Sequence, residues 1–319
     1  MSKEQKELQQ KCLVNQKEIY INAVCGSGKT EITYEVIKDY LSKGLRVGIA
    51  IPRKAIVLEL YYRLKSVFKG IRIRAVYGGN NRYIDGDIVI FTTHQSYLFF
   101  HSFGLLIIDE YDAFPLKGNE CLKNITKQTT IEKSIYLSAT FLNSEFKEDY
   151  ILELNKRYHN HKLDIPNIIV SNNINNLIKL TSQVHKYYLN KQKILVFFPR
   201  ISDIKTYSKL LTILGIKHFV IYAGNSDDIK RLKQEEYFIC LTSIILERGI
   251  TIPNVNVIVY NADHSVFSYA TLIQISGRVG RHYLYPSGEI TFYARKYQGK
   301  FDEVINRIKK ANESLSDLQ

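Results

Sequence analysis

The sequence predicts an α/β protein of two lobes, each a mostly parallel sheet with helices on both faces. Short apolar runs rich in β-branched residues recur along the whole chain, and the segments between them carry helical periodicity. A polar stretch near the middle divides those runs into two groups, and 319 residues suffice for two domains that each bury a core.

In the first half the runs are EIYINAV (18–24), RVGIAI (46–51), DIVIFTT (87–93), LLIIDE (105–110) and SIYLSAT (134–140). In the second they are ILVFF (194–198), HFVIY (218–222), YFICLT (237–242), VNVIVY (255–260) and EITFY (289–293), about five strands in each half. Between the groups, residues from Asn143 to about Asn176 are rich in Asn, Lys and His and are interrupted by Pro166, the composition of a domain boundary. The expected organisation is a first lobe over 1–150, a linker over 151–172 and a second lobe over 173–319, with Ile168–Val170 itself strand-like.

Composition narrows the function classes. No apolar run approaches the eighteen or so residues of a membrane span, and MSKEQKELQQ lacks the apolar core of a secretory signal, so a cytoplasmic protein with no membrane insertion is expected. Cys12, Cys25, Cys121 and Cys240 are scattered without C-x-x-C spacing, which argues against a disulfide framework and against zinc. A formal net charge of +13 is the footprint of a protein that sits on polyanions.

The chemistry-bearing residues begin after the first run. Gly26-Ser27-Gly28-Lys29-Thr30 lies between a strand and a helical stretch, the context of a Walker A loop, with Ala23 where the usual pattern has its first glycine. Gly26 and Gly28, with Ser27 between them in the nucleotide-binding loop, let backbone N–H groups approach phosphate, and Lys29 pairs with the β and γ phosphates of ATP. Thr30 supplies a hydroxyl to magnesium, and Asp109, at the end of the apolar run 105–108, is its acidic partner; Glu110 beside it can polarise the attacking water. Asp112 caps or ties its loop and is left outside the catalytic set. Near the C-terminus, Gln274-Ile275-Ser276-Gly277-Arg278-Val279-Gly280-Arg281 sets two arginines three apart, a spacing that lets both guanidinium groups reach one phosphate.

In order, the chain carries A-x-x-G-x-G-K-T, P-R, T-T-H-Q, D-E-Y-D, S-A-T, E-R-G-I-T and Q-x-x-G-R-x-G-R, a series that resembles superfamily 2 helicases. The flanks AVCGSGKTE (23–31), DEYDAFP (109–115), RYHNHKLDIP (157–166), ILERGITIPNV (245–255) and ADHSVFSYATLIQISGRVGR (262–281) look like the ComFA-type late-competence DNA-uptake ATPases, themselves similar to PriA. The resemblance runs from about Gln9 to Tyr293. It implies two RecA-like lobes with ATP in the cleft between them, closing on Lys29, Asp109, Glu110, Arg278 and Arg281, and a single-stranded DNA translocase that drives uptake of transforming DNA.

By the same resemblance Gln9 reads adenine, with Gln10 adjacent. Pro52, Arg53, Thr93, His94, Gln95, Thr242 and Ser243 hold the nucleic-acid strand, Arg53 through phosphate. Ser138, Thr140, Glu247 and Arg248 couple hydrolysis to strand movement. Competence proteins and an inner-membrane DNA channel are implied as partners, and with them a peripheral position at the inner face of the membrane. Members of the family commonly carry a four-cysteine zinc module ahead of the motor, which is not expected here, and Asp164 stands where proline is frequent. Two rival readings remain open: a PriA-like or RNA-directed helicase, and a scaffold that binds nucleic acid or partners with incidental ATPase activity.

Overall fold

The computed structural model describes residues 3–13, 17–24, 26–138, 151–154, 157, 161–225, 228–247 and 252–316. The chain divides into two compact units, Met1–Leu154 and Asn155–Gln319.

The first unit begins with α1 (Lys3–Leu13) and β1 (Glu18–Ala23), followed by α2 (Lys29–Ile32) and α3 (Tyr34–Ser42). It continues through β2 (Val47–Ile51), α4 (Lys54–Val67), β3 (Ile73–Val76), β4 (Ile88–Thr92), β5 (Phe103–Asp109), α5 (Glu120–Lys127), β6 (Thr130–Ser138) and β7 (Ile151–Leu154). The seven strands pair in the order β3-β4-β2-β5-β6-β1-β7, all parallel. Alternate side chains leave opposite faces of a strand, so one apolar run feeds two cores. Ile19, Ile21, Ile49, Ile90, Ile107 and Ile135 pack on one face against Val36, Ile37, Val57, Leu60 and Leu64 of α3 and α4. On the other face Tyr20, Val89, Phe91, Leu106, Ile108 and Tyr136 meet Phe99, Phe103, Tyr111 and Leu116, with Leu122 of α5 alongside.

Gly48, the second residue of β2, shows how closely the second face is packed. A Cβ built there would lie 2.5 Å from Cδ2 and 2.8 Å from Cε2 of the Phe103 ring. Gly48→Ala is therefore expected to destabilise the chain by about 1–3 kcal/mol through overpacking, read as a lower urea midpoint.

The second unit runs β8 (Asn167–Val170), α6 (Asn173–Leu189), β9 (Lys193–Phe197), α7 (Ile201–Ile213), β10 (Phe219–Ile221), α8 (Ile229–Gln234), β11 (Phe238–Thr242), β12 (Val255–Tyr260), α9 (Tyr269–Ser276), β13 (Ile290–Ala294) and α10 (Gly299–Ser316). Its strands pair in the order β10-β11-β9-β12-β13-β8, again all parallel. Leu272 and Ile275 of α9 and Phe301, Val304 and Ile308 of α10 cover one face. Leu180 and Val184 of α6 and Ile204, Tyr207 and Leu211 of α7 cover the other.

Two differences from the sequence reading concern short strands. The stretch expected as a linker, 151–172, carries β7, which adds to β1 of the first sheet, and β8, which adds to β13 of the second. β3 also went unread: it is four residues long, lies at a sheet edge and includes the exposed Arg74. Such strands lack the continuous apolar run that marks a strand buried on both faces.

The two sheets share one strand order. Counting from β1 in the first and β8 in the second, the sequence of pairing is identical, with β7 added at one edge of the first. Connections at their carboxyl edges repeat too. Arg53 caps α4 after β2 and Arg200 caps α7 after β9, each in extended backbone and each preceded by proline. After β3 the backbones of Tyr77 and Asn80 exchange two hydrogen bonds, and Asn80 Nδ2 donates to the Ala75 carbonyl at 3.0 Å. After β10 Tyr222 and Asn225 do the same, with Asn225 Nδ2 donating to the Val220 carbonyl at 3.1 Å.

Candidate nucleotide and nucleic-acid sites

All strands of the first sheet are parallel, so their carboxyl ends lie along one edge, where ligands of open α/β sheets bind. β1 ends at the glycine loop, β5 at Asp109 and β6 at Ser138. Registers Asn22 to Ser138 and Asp109 to Leu137 align the three ends. With β6 between them, β1 and β5 are about 10 Å apart at the usual strand spacing, within reach of one bound nucleotide.

Gly26 and Gly28 adopt φ of 82° and 79°, backbone that L side chains rarely enter. A Cβ at Gly28 would fall 2.6 Å from Gln5 Nε2, so a side chain there would have to push the Gln5 amide aside. Ser27 is fully buried, and its Oγ has no hydrogen-bond partner among the described residues. Lys29 and Thr30 open α2, directly after Gly28. Left-handed glycines, an unengaged buried hydroxyl and a lysine at the loop's exit fit a phosphate chain. Cys25 lies outside the described residues.

Asp109 and Glu110 follow β5. Glu110 is held at φ 55°, in the left-handed region, and its N–H donates to Asp109 Oδ1 at 2.9 Å. For a non-glycine residue that backbone costs about 1–3 kcal/mol, strain of the kind that collects at functional sites. A threonine hydroxyl and a carboxylate are hard oxygen donors, and Thr30 with Asp109 suits magnesium. Among the described residues no group of three or more His, Cys, Asp or Glu could hold a metal ion.

The sequence reading missed Gln5. Its side chain is 3% exposed, and Nε2 donates to the Ser27 carbonyl at 2.7 Å, fixing α1 onto the loop. Gln9, expected to read adenine, is buried one turn further along α1, and four residues apart is the spacing of helical neighbours. The signal that could have found Gln5 is that spacing, which puts both glutamines on one stripe. Gln5→Ala is expected to weaken binding of a fluorescent ATP analogue by about five- to tenfold, the worth of one buried hydrogen bond, and more than Gln9→Ala does.

Further along the same edge lie the residues expected to hold a strand. Pro52 and Arg53 follow β2, and Thr93, His94 and Gln95 open a 3-10 turn, Thr93–Leu98, after β4. Thr93 is fully buried, whereas His94 is exposed and Gln95 half-buried, so direct contact from this turn falls to the last two. In the second unit Thr242 is likewise fully buried, its Oγ1 donating to the Ser243 carbonyl at 3.1 Å, and Ser243 is half-buried. Ser138 is buried at the end of β6. Thr140, Arg248 and the Glu247 side chain lie outside the described residues. Arg200, exposed and placed in the second unit as Arg53 is in the first, was missed. The repeated Pro-Arg after an apolar run was its signal.

The two arginines after α9 are not equivalent. Arg278 is 3% exposed and lies in the neighbourhood of Leu195, Leu246, Ile252 and Val255. Arg281 is half-buried, and its Nε donates to the Gly277 carbonyl at 2.7 Å.

Two α/β sheets of one strand order, with a glycine loop and paired acids on the first and an arginine pair on the second, define a helicase-type ATPase. Family models agree: "DEAD/DEAH box helicase" matches residues 2–148 and "Helicase conserved C-terminal domain" matches 172–283. The fold is that of a Saccharomyces cerevisiae Dbp5 structure, bound to RNA and ADP BeF3, with a TM-score of 0.72 at 15% identity over 98% of this chain and 87% of that one. The chain is a superfamily 2 helicase-like ATPase. Competence protein ComFA of Streptococcus pneumoniae is 33% identical over 93% of this chain and 73% of its own length. That of Bacillus subtilis is 30% identical over 95% and 69%. The chain belongs to the ComFA family of competence proteins. No helix among the described residues is long and apolar enough to cross a membrane.

Proposed function

We propose that this ATPase is a single-stranded DNA translocase that draws transforming DNA into the cell. The observation that carries the reading is the order of residues along one sheet edge. The glycine loop, Ser138 and Asp109 follow the neighbouring strands β1, β6 and β5, while Arg53, the Tyr77–Asn80 turn and His94 follow β2, β3 and β4. Nucleotide and track would thus occupy adjacent parts of one rigid edge. The second unit offers a matching edge with Arg200, the Tyr222–Asn225 turn and Ser243.

Lys29 and the N–H groups of Gly26 and Gly28 hold the phosphates of ATP beside the Ser27 hydroxyl, with Gln5 bracing the loop and Gln9 of α1 on the adenine side. Thr30 and Asp109 would hold magnesium, which when bound neutralises phosphate charge. Glu110 takes the proton of the attacking water, and Arg281, with Arg278, stabilises charge on the γ-phosphate as it leaves. Ser138, Thr140, Glu247 and Arg248 pass the change to the track. Contacts through phosphate and sugar give little sequence preference and steep salt dependence.

Movement distinguishes a translocase from an ATPase that only binds DNA. Streptavidin on one end of a biotinylated single strand should be displaced in an ATP-dependent manner, faster from one end than from the other. Displacement that is absent with ATP present, or equal without it, would defeat the reading. Competence proteins and an inner-membrane DNA channel are the partners it implies, and through them a cytoplasmic position at the membrane's inner face.

A further inference from the structure

Arg157 is 2% exposed and heads the large, fully buried side chains among the described residues. A guanidinium does not give up its charge, so it is buried only where its N–H groups have work. Its Nη1 donates to the Gly280 carbonyl at 2.6 Å, across 123 residues of sequence. That carbonyl belongs to the peptide bond joining Gly280 to Arg281. Because a peptide is planar, fixing its oxygen fixes the plane from which the Arg281 backbone departs.

The fit around Gly280 leaves no slack. Its φ is 67°, and a Cβ there would lie 2.3 Å from the Pro286 carbonyl oxygen and 2.5 Å from Arg157 Nη1. Downstream, the backbone N–H of Tyr285 donates to the His282 carbonyl at 2.9 Å and closes a turn. Asp164 meets the backbone N–H of Gly288; burial holds its carboxyl above the usual range, against the smaller opposing pull of that N–H and of the Arg157 charge. Residues 157 and 164 therefore hold both ends of the stretch 280–288 that begins at the arginine pair.

We propose that Arg157 is a positioning residue for hydrolysis: it fixes the Gly280–Arg281 peptide and so aims Arg281 without touching the nucleotide. This rests on the reading of Arg281 as a γ-phosphate ligand. Arg157 then acts only through Arg281, whereas a purely structural residue would slow the enzyme whether Arg281 were present or not.

A double-mutant cycle on the full chain separates the two. Single-turnover ATP hydrolysis with saturating single-stranded DNA is measured for the parent, Arg157→Ala, Arg281→Ala and the double variant, with melting curves and ATP affinity for each. In the parent background Arg157→Ala should lower the rate by about ten- to a hundredfold with ATP affinity nearly unchanged, the scale of a misaimed catalytic group. In the Arg281→Ala background the same change should cost less than about twofold. Arg157→Lys, which keeps one donor and the charge, should recover part of the loss, and it carries the cycle if melting shows that Arg157→Ala does not fold. Equal losses in both backgrounds, or no loss in the parent, overturn the proposal while leaving Arg281 its role. If Arg281→Ala itself hydrolyses ATP at the parent rate, the reading of the arginine falls and the proposal with it.

Discussion

Arg281→Ala is expected to lower kcat for ATP hydrolysis by about 10³–10⁵-fold while ATP affinity changes little, because a guanidinium that meets charge developing at the γ-phosphate acts in the transition state. Steady-state kinetics beside equilibrium nucleotide binding check this. Arg281 is half-buried and tied by Nε to the Gly277 carbonyl, so its removal takes away a charge and little core. Arg278 makes the contrast. It is 3% exposed, and Arg278→Ala should reduce the melting temperature as well as the rate, since a buried arginine packs as well as charges. A kcat loss shared with a loss of ATP affinity would instead mean that Arg281 holds the ground state.

Glu110→Gln should be the other large effect. A carboxylate that accepts the proton of the attacking water contributes about 10²–10⁴-fold, and the amide, of nearly the same shape, cannot accept it. Glu110 sits in left-handed backbone with its N–H on Asp109 Oδ1, a geometry an amide leaves in place. The variant should therefore bind ATP and single-stranded DNA as the parent does yet hydrolyse ATP about 10²–10⁴-fold more slowly, with or without DNA. Loss of ATP binding would place Glu110 among the phosphate or metal contacts.

Much of this was legible in the sequence because the relevant signals are local. Long apolar runs give β5 and β12, buried along their length, and the glycine loop and Asp109 are read from residues adjacent to such runs. β3 and β7 are only four residues long and partly exposed, so no such run announces them, and the equally short β8 was read only as a strand-like piece of the linker. Contacts across the chain were harder still. Gln5 and Ser27 are 22 residues apart, Arg157 and Gly280 are 123 apart, and nothing in either neighbourhood names its partner. The unequal burial of Arg278 and Arg281 also escaped, since three-residue spacing gives two arginines the same apparent reach and only packing tells them apart. By contrast, the repeat of Pro-Arg and of Tyr-x-Gly-Asn at matching strand ends was open to a reader who aligned the two halves.

The most direct test of the motor assignment is steady-state ATP hydrolysis at one fixed salt concentration, without nucleic acid and with single-stranded DNA, duplex DNA or RNA, beside Lys29→Ala. The account predicts that single-stranded DNA stimulates hydrolysis by about 5- to 150-fold, the range of ordinary coupling between two sites, more than duplex or RNA does, and that Lys29→Ala abolishes it. Stimulation by RNA equal to that by DNA would point to an RNA-directed helicase. Hydrolysis indifferent to every nucleic acid would contradict the coupling on which the account depends.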